Sequence, residues 1–72
     1  MFDPKLLRKA RLAGGLTYRQ VGDAAGLDQS AIAHYEAGRI RPSPDASERL
    51  SAGLQRLLSS RLQAIAQIMP RL

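Results

Sequence analysis

The chain has 72 residues, 11 Lys and Arg against 6 Asp and Glu, a net charge of +5 and no cysteine. Disulfides, zinc–thiolate sites and thiol catalysis are thereby excluded, and the positive excess suits an anionic partner. A chain this short forms one domain with one small core and hides only roughly 60% of its unfolded surface, so a partner subunit would add stability.

No apolar run is long enough to span a membrane and no secretory leader is visible, which sets a cytoplasmic expectation. The first element is a basic helix. Asp3 predicts its N-cap and Pro4 its first turn. Leu7 and Ala10 recur on one side with Leu6 and Leu12 flanking, and Gly14-Gly15 ends the helix. Lys5, Arg8, Lys9 and Arg11 supply the charge.

The stretch TYRQVGDAAGLDQSAIAHYE, Thr17 to Glu36, reads as two short helices hinged at Gly26. Thr17 and Gln20 have the spacing of a capping box. Val21, Ala24 and Ala25 form the inward face, and Leu27 plugs the turn. Gly26 stands where a left-handed residue costs least. Asp28 restarts the chain as an N-cap, placing Gln29, Ser30 and Ala31 in the next first turn. Ile32 and Tyr35 fall on a core-facing side, while Gln29, Ala33 and His34 fall on the other. Gly38 closes this helix. Two capped helices around a tight turn, in a small basic chain, form an arrangement for presenting one helix to DNA.

The last third begins a helix at Ser43 and Pro44, with Asp45 and Glu48 in the favourable first turn. Leu50, Leu54, Leu57 and Leu58 follow at helical spacing. Leu58, Leu62, Ile65, Met69 and Leu72 then make an apolar seam interrupted only by Pro70. Gly53 and Ser59-Ser60 are candidate breaks, so one long helix and two shorter ones both fit. Leu50 and Leu54 are expected to close the core. The seam exceeds what a small core absorbs, which makes Leu54, Leu57, Leu58, Leu62, Ile65 and Met69 the candidate dimer interface. A seam folded back on its own domain is the plainer alternative. A membrane-surface role is disfavoured because the seam lacks anchoring aromatics.

From about Leu7 to Leu54 the chain resembles the Cro and phage-repressor type of helix-turn-helix protein, including small restriction–modification controller proteins. The resemblance rests on Arg11, Gly15-Leu16-Thr17, Val21, Gly26-Leu27, Ser30, Ile32, Glu36, Gly38 and Pro42, in order and without insertion. It implies an all-α bundle of four to five helices forming a single domain over residues 1–72. The helix-turn-helix would occupy about residues 17–37 and the dimerisation helix or helices about 44–70. It also implies an ion pair between Arg11 and Glu36.

Base contacts are expected from Gln29, Ser30, Ala33 and His34, the positions the family turns toward base edges. Gln29 matches adenine in two-point fashion, and Ala33 offers a methyl contact to thymine. Phosphate contacts are expected from Thr17, Tyr18, Arg19, Arg39 and Arg41. Four residues depart from the family pattern. Tyr18 replaces a common glutamine, Ala37 a common asparagine, and Asp28 a more neutral cap. Gly22 replaces an alanine and is expected to loosen its helix by roughly 1 kcal/mol.

The implied function is a homodimeric repressor that binds a palindromic double-stranded operator near its own or a neighbouring promoter. With no regulatory domain expected, it would respond mainly to its own concentration. The alternative is a protein-binding module, an antitoxin or antiactivator, working through the C-terminal helix. An enzyme is not expected, since there is no nucleophile–base pair, metal cluster or phosphate-binding glycine loop, and His34 is the lone histidine. No cofactor, small-molecule ligand or membrane partner is expected.

Overall fold

Three of the four α-helices in this protein start at a side chain that accepts from one of their first backbone donors. A computed structural model describes residues 2–71, so Leu72 of the expected seam lies outside the described residues. Helix α1 spans Pro4–Ala13, with Asp3 accepting from the Lys5 N–H at 2.9 Å. Helix α2, Tyr18–Ala25, opens on a full capping box: Thr17 Oγ1 accepts from Gln20 N–H at 3.1 Å, and Gln20 Oε1 accepts from Thr17 N–H at 2.8 Å. Helix α3 spans Gln29–Glu36. Helix α4 runs from Pro44 to Ile68 behind Ser43, whose Oγ accepts from Ala46 N–H at 3.1 Å. A 3-10 turn over Met69–Arg71, containing Pro70, completes the described residues, and none of these is a strand.

The turns are equally local. Gly26 takes the left-handed conformation, φ 69°, and the Leu27 N–H reaches back to the Gly22 carbonyl at 2.8 Å. Gly38, φ 73°, does the same after α3, where Arg39 N–H donates to the His34 carbonyl at 3.0 Å. Leu7, Leu16, Val21, Ala25, Ile32, Tyr35 and Leu50 make the core. Val21 and Ile32 are fully enclosed, each worth about 1.5–3 kcal/mol of burial. Phe2 packs edge-on against Tyr35, with ring centroids 6.1 Å apart.

Three expectations need correction or a further reason. Asp28 occupies the N-cap position, but its carboxylate accepts no helical N–H; it accepts from the Ser30 hydroxyl instead. The cost expected at Gly22 has a packing reason that its own helix does not show. The residue is buried, and a Cβ there would lie 2.6 Å from the Leu27 carbonyl oxygen and 3.3 Å from the Gln29 nitrogen. Glycine is what lets α2 close onto the turn. Gly53 and Ser59-Ser60 do not break α4, which is continuous. Gly53 is buried where α4 crosses the end of α2, its missing Cβ 3.0 Å from the Ala24 carbonyl carbon. One turn on, the Arg56 guanidinium donates to the Ala24 carbonyl, one of the acceptors that the end of α2 leaves without an intrahelical partner.

A 25-residue helix is about 37 Å long, and α4 therefore sets the long axis of a molecule measuring 44 × 21 × 18 Å. Its two halves differ. Leu54, Leu57 and Leu58 pack against the core, whereas every residue from Arg61 to Arg71 is exposed.

Candidate nucleic-acid interface

Helix α3 has two sides. Ile32 and Tyr35 point inward and are buried. Gln29, Ser30, Ala33 and His34 form one stripe on the opposite side, since residues four apart on a helix share a face. Gln29 and Ser30, at the N-terminal end, are exposed; Ala33 and His34 are partly so. The Ser30 hydroxyl donates to Asp28 Oδ2. With its proton engaged, that oxygen faces solvent as an acceptor, suited to the exocyclic amino group of adenine or cytosine. Gln29 presents both a donor and an acceptor. Asp28 gives this end of the stripe a negative charge.

The cations around the stripe come from separate elements. Arg39 and Arg41 are exposed in the loop between α3 and α4. Thr17, Tyr18 and Arg19 are exposed at the start of α2. Arg19 lies 3.9 Å from Asp23 with both side chains largely in solvent, a contact that contributes little and leaves the guanidinium available.

Behind this surface sits one buried ion pair. Arg11 Nε and the terminal nitrogen Nη2 donate to the two Glu36 oxygens at 2.6 and 2.9 Å, and Nη1 donates to the Leu16 carbonyl at 3.0 Å. The side chains are only 10% and 4% exposed. The hydrogen bond to Glu36 raises the Arg11 pKa above the ordinary arginine value, burial pulls it down, and the Glu36 charge raises it further. The pair ties α1 to the C-terminal end of α3. The Cζ of the same guanidinium lies over the Tyr18 ring, 4.3 Å from its centroid.

The six candidate interface residues, five on α4 and Met69 in the 3-10 turn after it, fall into two groups. Leu54, Leu57 and Leu58 are partly buried within their own chain. Leu62, Ile65 and Met69 are exposed at 67%, 53% and 60%. Leu62 and Ile65 line, with Ala13, Gly14 and Leu58, a shallow apolar groove between the end of α1 and the middle of α4.

Sequence reasoning passed over the Arg11–Tyr18 stack, the Arg56–Ala24 bond and the close approaches at Gly22 and Gly53. A glycine inside a helical pattern was the available signal for the last two, and it was read as weakness. Among the described residues no group of His, Asp or Glu could hold a metal ion, and no helix is long and apolar enough to cross a membrane.

Residues 5–62 match the family model of a helix-turn-helix domain. The chain belongs to this helix-turn-helix family of DNA-binding domains. No curated protein and no solved structure matches it.

Proposed function

We propose that this protein is a sequence-specific transcriptional regulator of the Cro and phage-repressor type, a homodimer that represses a promoter near or at its own gene. The observation that carries the reading is the α3 stripe. Small polar and methyl-bearing side chains share one exposed to half-exposed face of a helix that exposed Arg39 and Arg41 follow and the Arg11–Glu36 pair ties to α1. Such a helix enters the major groove by its N-terminal end, so Gln29 and Ser30 meet base edges first, with Ala33 and His34 further along. Thr17, Tyr18, Arg19, Arg39 and Arg41 hold the phosphates that set register.

The test is binding to DNA upstream of the gene, by mobility shift across a salt series. A dimer touching about 6–10 phosphates should lose roughly 10³–10⁵ in affinity between about 50 and 200 mM salt. Gln29→Ala should erase discrimination at one base position of each half-site, worth about 1–3 kcal/mol. Arg41→Ala should weaken all sequences alike and flatten the salt slope by about one. A shallow slope, or selectivity indifferent to Gln29, would count against the reading.

Homodimerisation is supported by the uncovered apolar end of α4. Two-fold pairing would bring two α3 helices to half-sites about 34 Å apart, on a palindromic operator. Because Ile65 is 53% exposed, Ile65→Asp should leave the single chain folded while abolishing the dimer and operator binding, read by sedimentation and mobility shift. A variant that stays dimeric would remove this part of the proposal. The same exposed end favours a second reading, a protein-binding module such as an antitoxin or antiactivator. That reading expects function to survive Gln29→Ala and Arg41→Ala.

A further inference from the structure

Each nitrogen of the Arg11 guanidinium donates one hydrogen bond. Nε and Nη2 are bound by Glu36, and Nη1 by the Leu16 carbonyl. Its plane is therefore fixed by three contacts from two separate parts of the chain. A planar cation held this way is rigid, and its Cζ lies over the Tyr18 ring, 4.3 Å from the centroid. Arg11 is 9% exposed, while Tyr18 is 40% exposed. The stack thus joins a buried, immobile group to a side chain that reaches solvent on the proposed DNA-binding side. A cation–π contact of this kind restrains an aromatic ring, which loses little conformational entropy when it then donates one hydrogen bond.

We propose that Arg11 is a positioning residue for DNA binding, which acts by holding the Tyr18 ring so that its phenol hydroxyl donates to a backbone phosphate. The inference rests on the DNA-binding reading above. It assigns to the ion pair a second task, separate from joining α1 to α3. It also makes Tyr18 a neutral phosphate donor whose geometry is set before binding. The contact releases no counterion, so it adds affinity without adding to the salt dependence.

The test is a double-mutant cycle on operator affinity, with folding followed by circular dichroism. Tyr18→Phe keeps the stack and removes the hydroxyl. It should weaken binding roughly tenfold, with unchanged salt slope and unchanged unfolding temperature. Arg11→Met combined with Glu36→Met replaces the pair by apolar groups, an exchange that buried pairs often tolerate. In that background Tyr18→Phe should cost less than about threefold, because the ring is no longer held. An equal Tyr18→Phe penalty in both backgrounds overturns the inference, as does wild-type affinity for Tyr18→Phe itself. If the double methionine variant fails to fold, Arg11→Lys serves in its place, because it keeps a charge but has no planar face. The same shrinking penalty is then expected and the same equality overturns the inference. Absence of selective binding by the wild-type protein would instead remove the DNA-binding reading on which the inference stands.

Discussion

Replacing Glu36 with alanine is expected to destabilise the protein by about 3–5 kcal/mol. The change leaves the Arg11 guanidinium nine-tenths buried with only the Leu16 carbonyl and the Tyr18 ring for company. Two charge-assisted bonds are lost, and the cation keeps most of its burial without its counter-charge. For a domain of this size each kcal/mol shifts the unfolding temperature by about 4–8 °C, so the fall should exceed roughly 10 °C. Small domains hold only about 5–15 kcal/mol in total, which makes this a large share. Thermal unfolding followed by circular dichroism checks it. A shift of about 3 °C or less would mean the pair is solvated in practice and contributes little.

The pH dependence has a defined sign. The Arg11 pKa is raised by the Glu36 hydrogen bond. Its contribution is therefore fully present below the unfolded arginine value and is lost only as pH rises through the higher folded value. From neutral pH to the alkaline limit of ordinary buffers, the Arg11 contribution should stay constant.

Gly22→Ala is expected to destabilise by about 1–3 kcal/mol, although alanine is the better helix former by about 1 kcal/mol. Propensity and packing oppose each other here, and geometry decides. The added Cβ would sit 2.6 Å from the Leu27 carbonyl oxygen, a backbone atom that moves only with the turn. It would also press at 3.3 Å on the backbone nitrogen of Gln29, so the displacement should reach the first turn of the recognition helix and weaken operator binding. Arg19→Ala, at an exposed position of the same helix, serves as the control for stability alone and should leave the unfolding temperature nearly unchanged. A Gly22→Ala protein more stable than wild type would show that the turn yields easily and that propensity governs this position.

Both effects bear on what could be read before any fold was known. Helix starts were legible at Asp3, Thr17 and Ser43 because a cap acts within three residues, and turns were legible at Gly26 and Gly38 for the same reason. Asp28 shows the limit. Position named it a cap, yet its carboxylate chose the neighbouring Ser30 hydroxyl, a competition that sequence spacing leaves open. The α3 stripe was legible in part as a pattern, because helical periodicity places Gln29, Ala33 and His34 opposite Ile32 and Tyr35, while Ser30 joined them through the family resemblance.

The Arg11–Glu36 contact spans 25 positions, and no local signal marks it; it entered only through family resemblance. Gly22 and Gly53 were misread because the sequence states a glycine's cost within its own helix. What the missing side chain admits depends on the neighbouring helix. The division between the halves of α4 has the same origin: Leu58 and Leu62 are equivalent in the seam, and only the position of Gly14 and the core makes one covered and the other bare. By itself, then, the sequence determined where the helices start and the face that α1, α2 and α3 would show, since these follow from hydrogen bonds and periodicities a few residues long, while the continuity of α4 stayed open. The tertiary structure alone decided which glycines are indispensable, how Arg11 serves Glu36 and Tyr18 together, and where the apolar surface stays uncovered. Those outcomes depend on distances between segments remote in the chain.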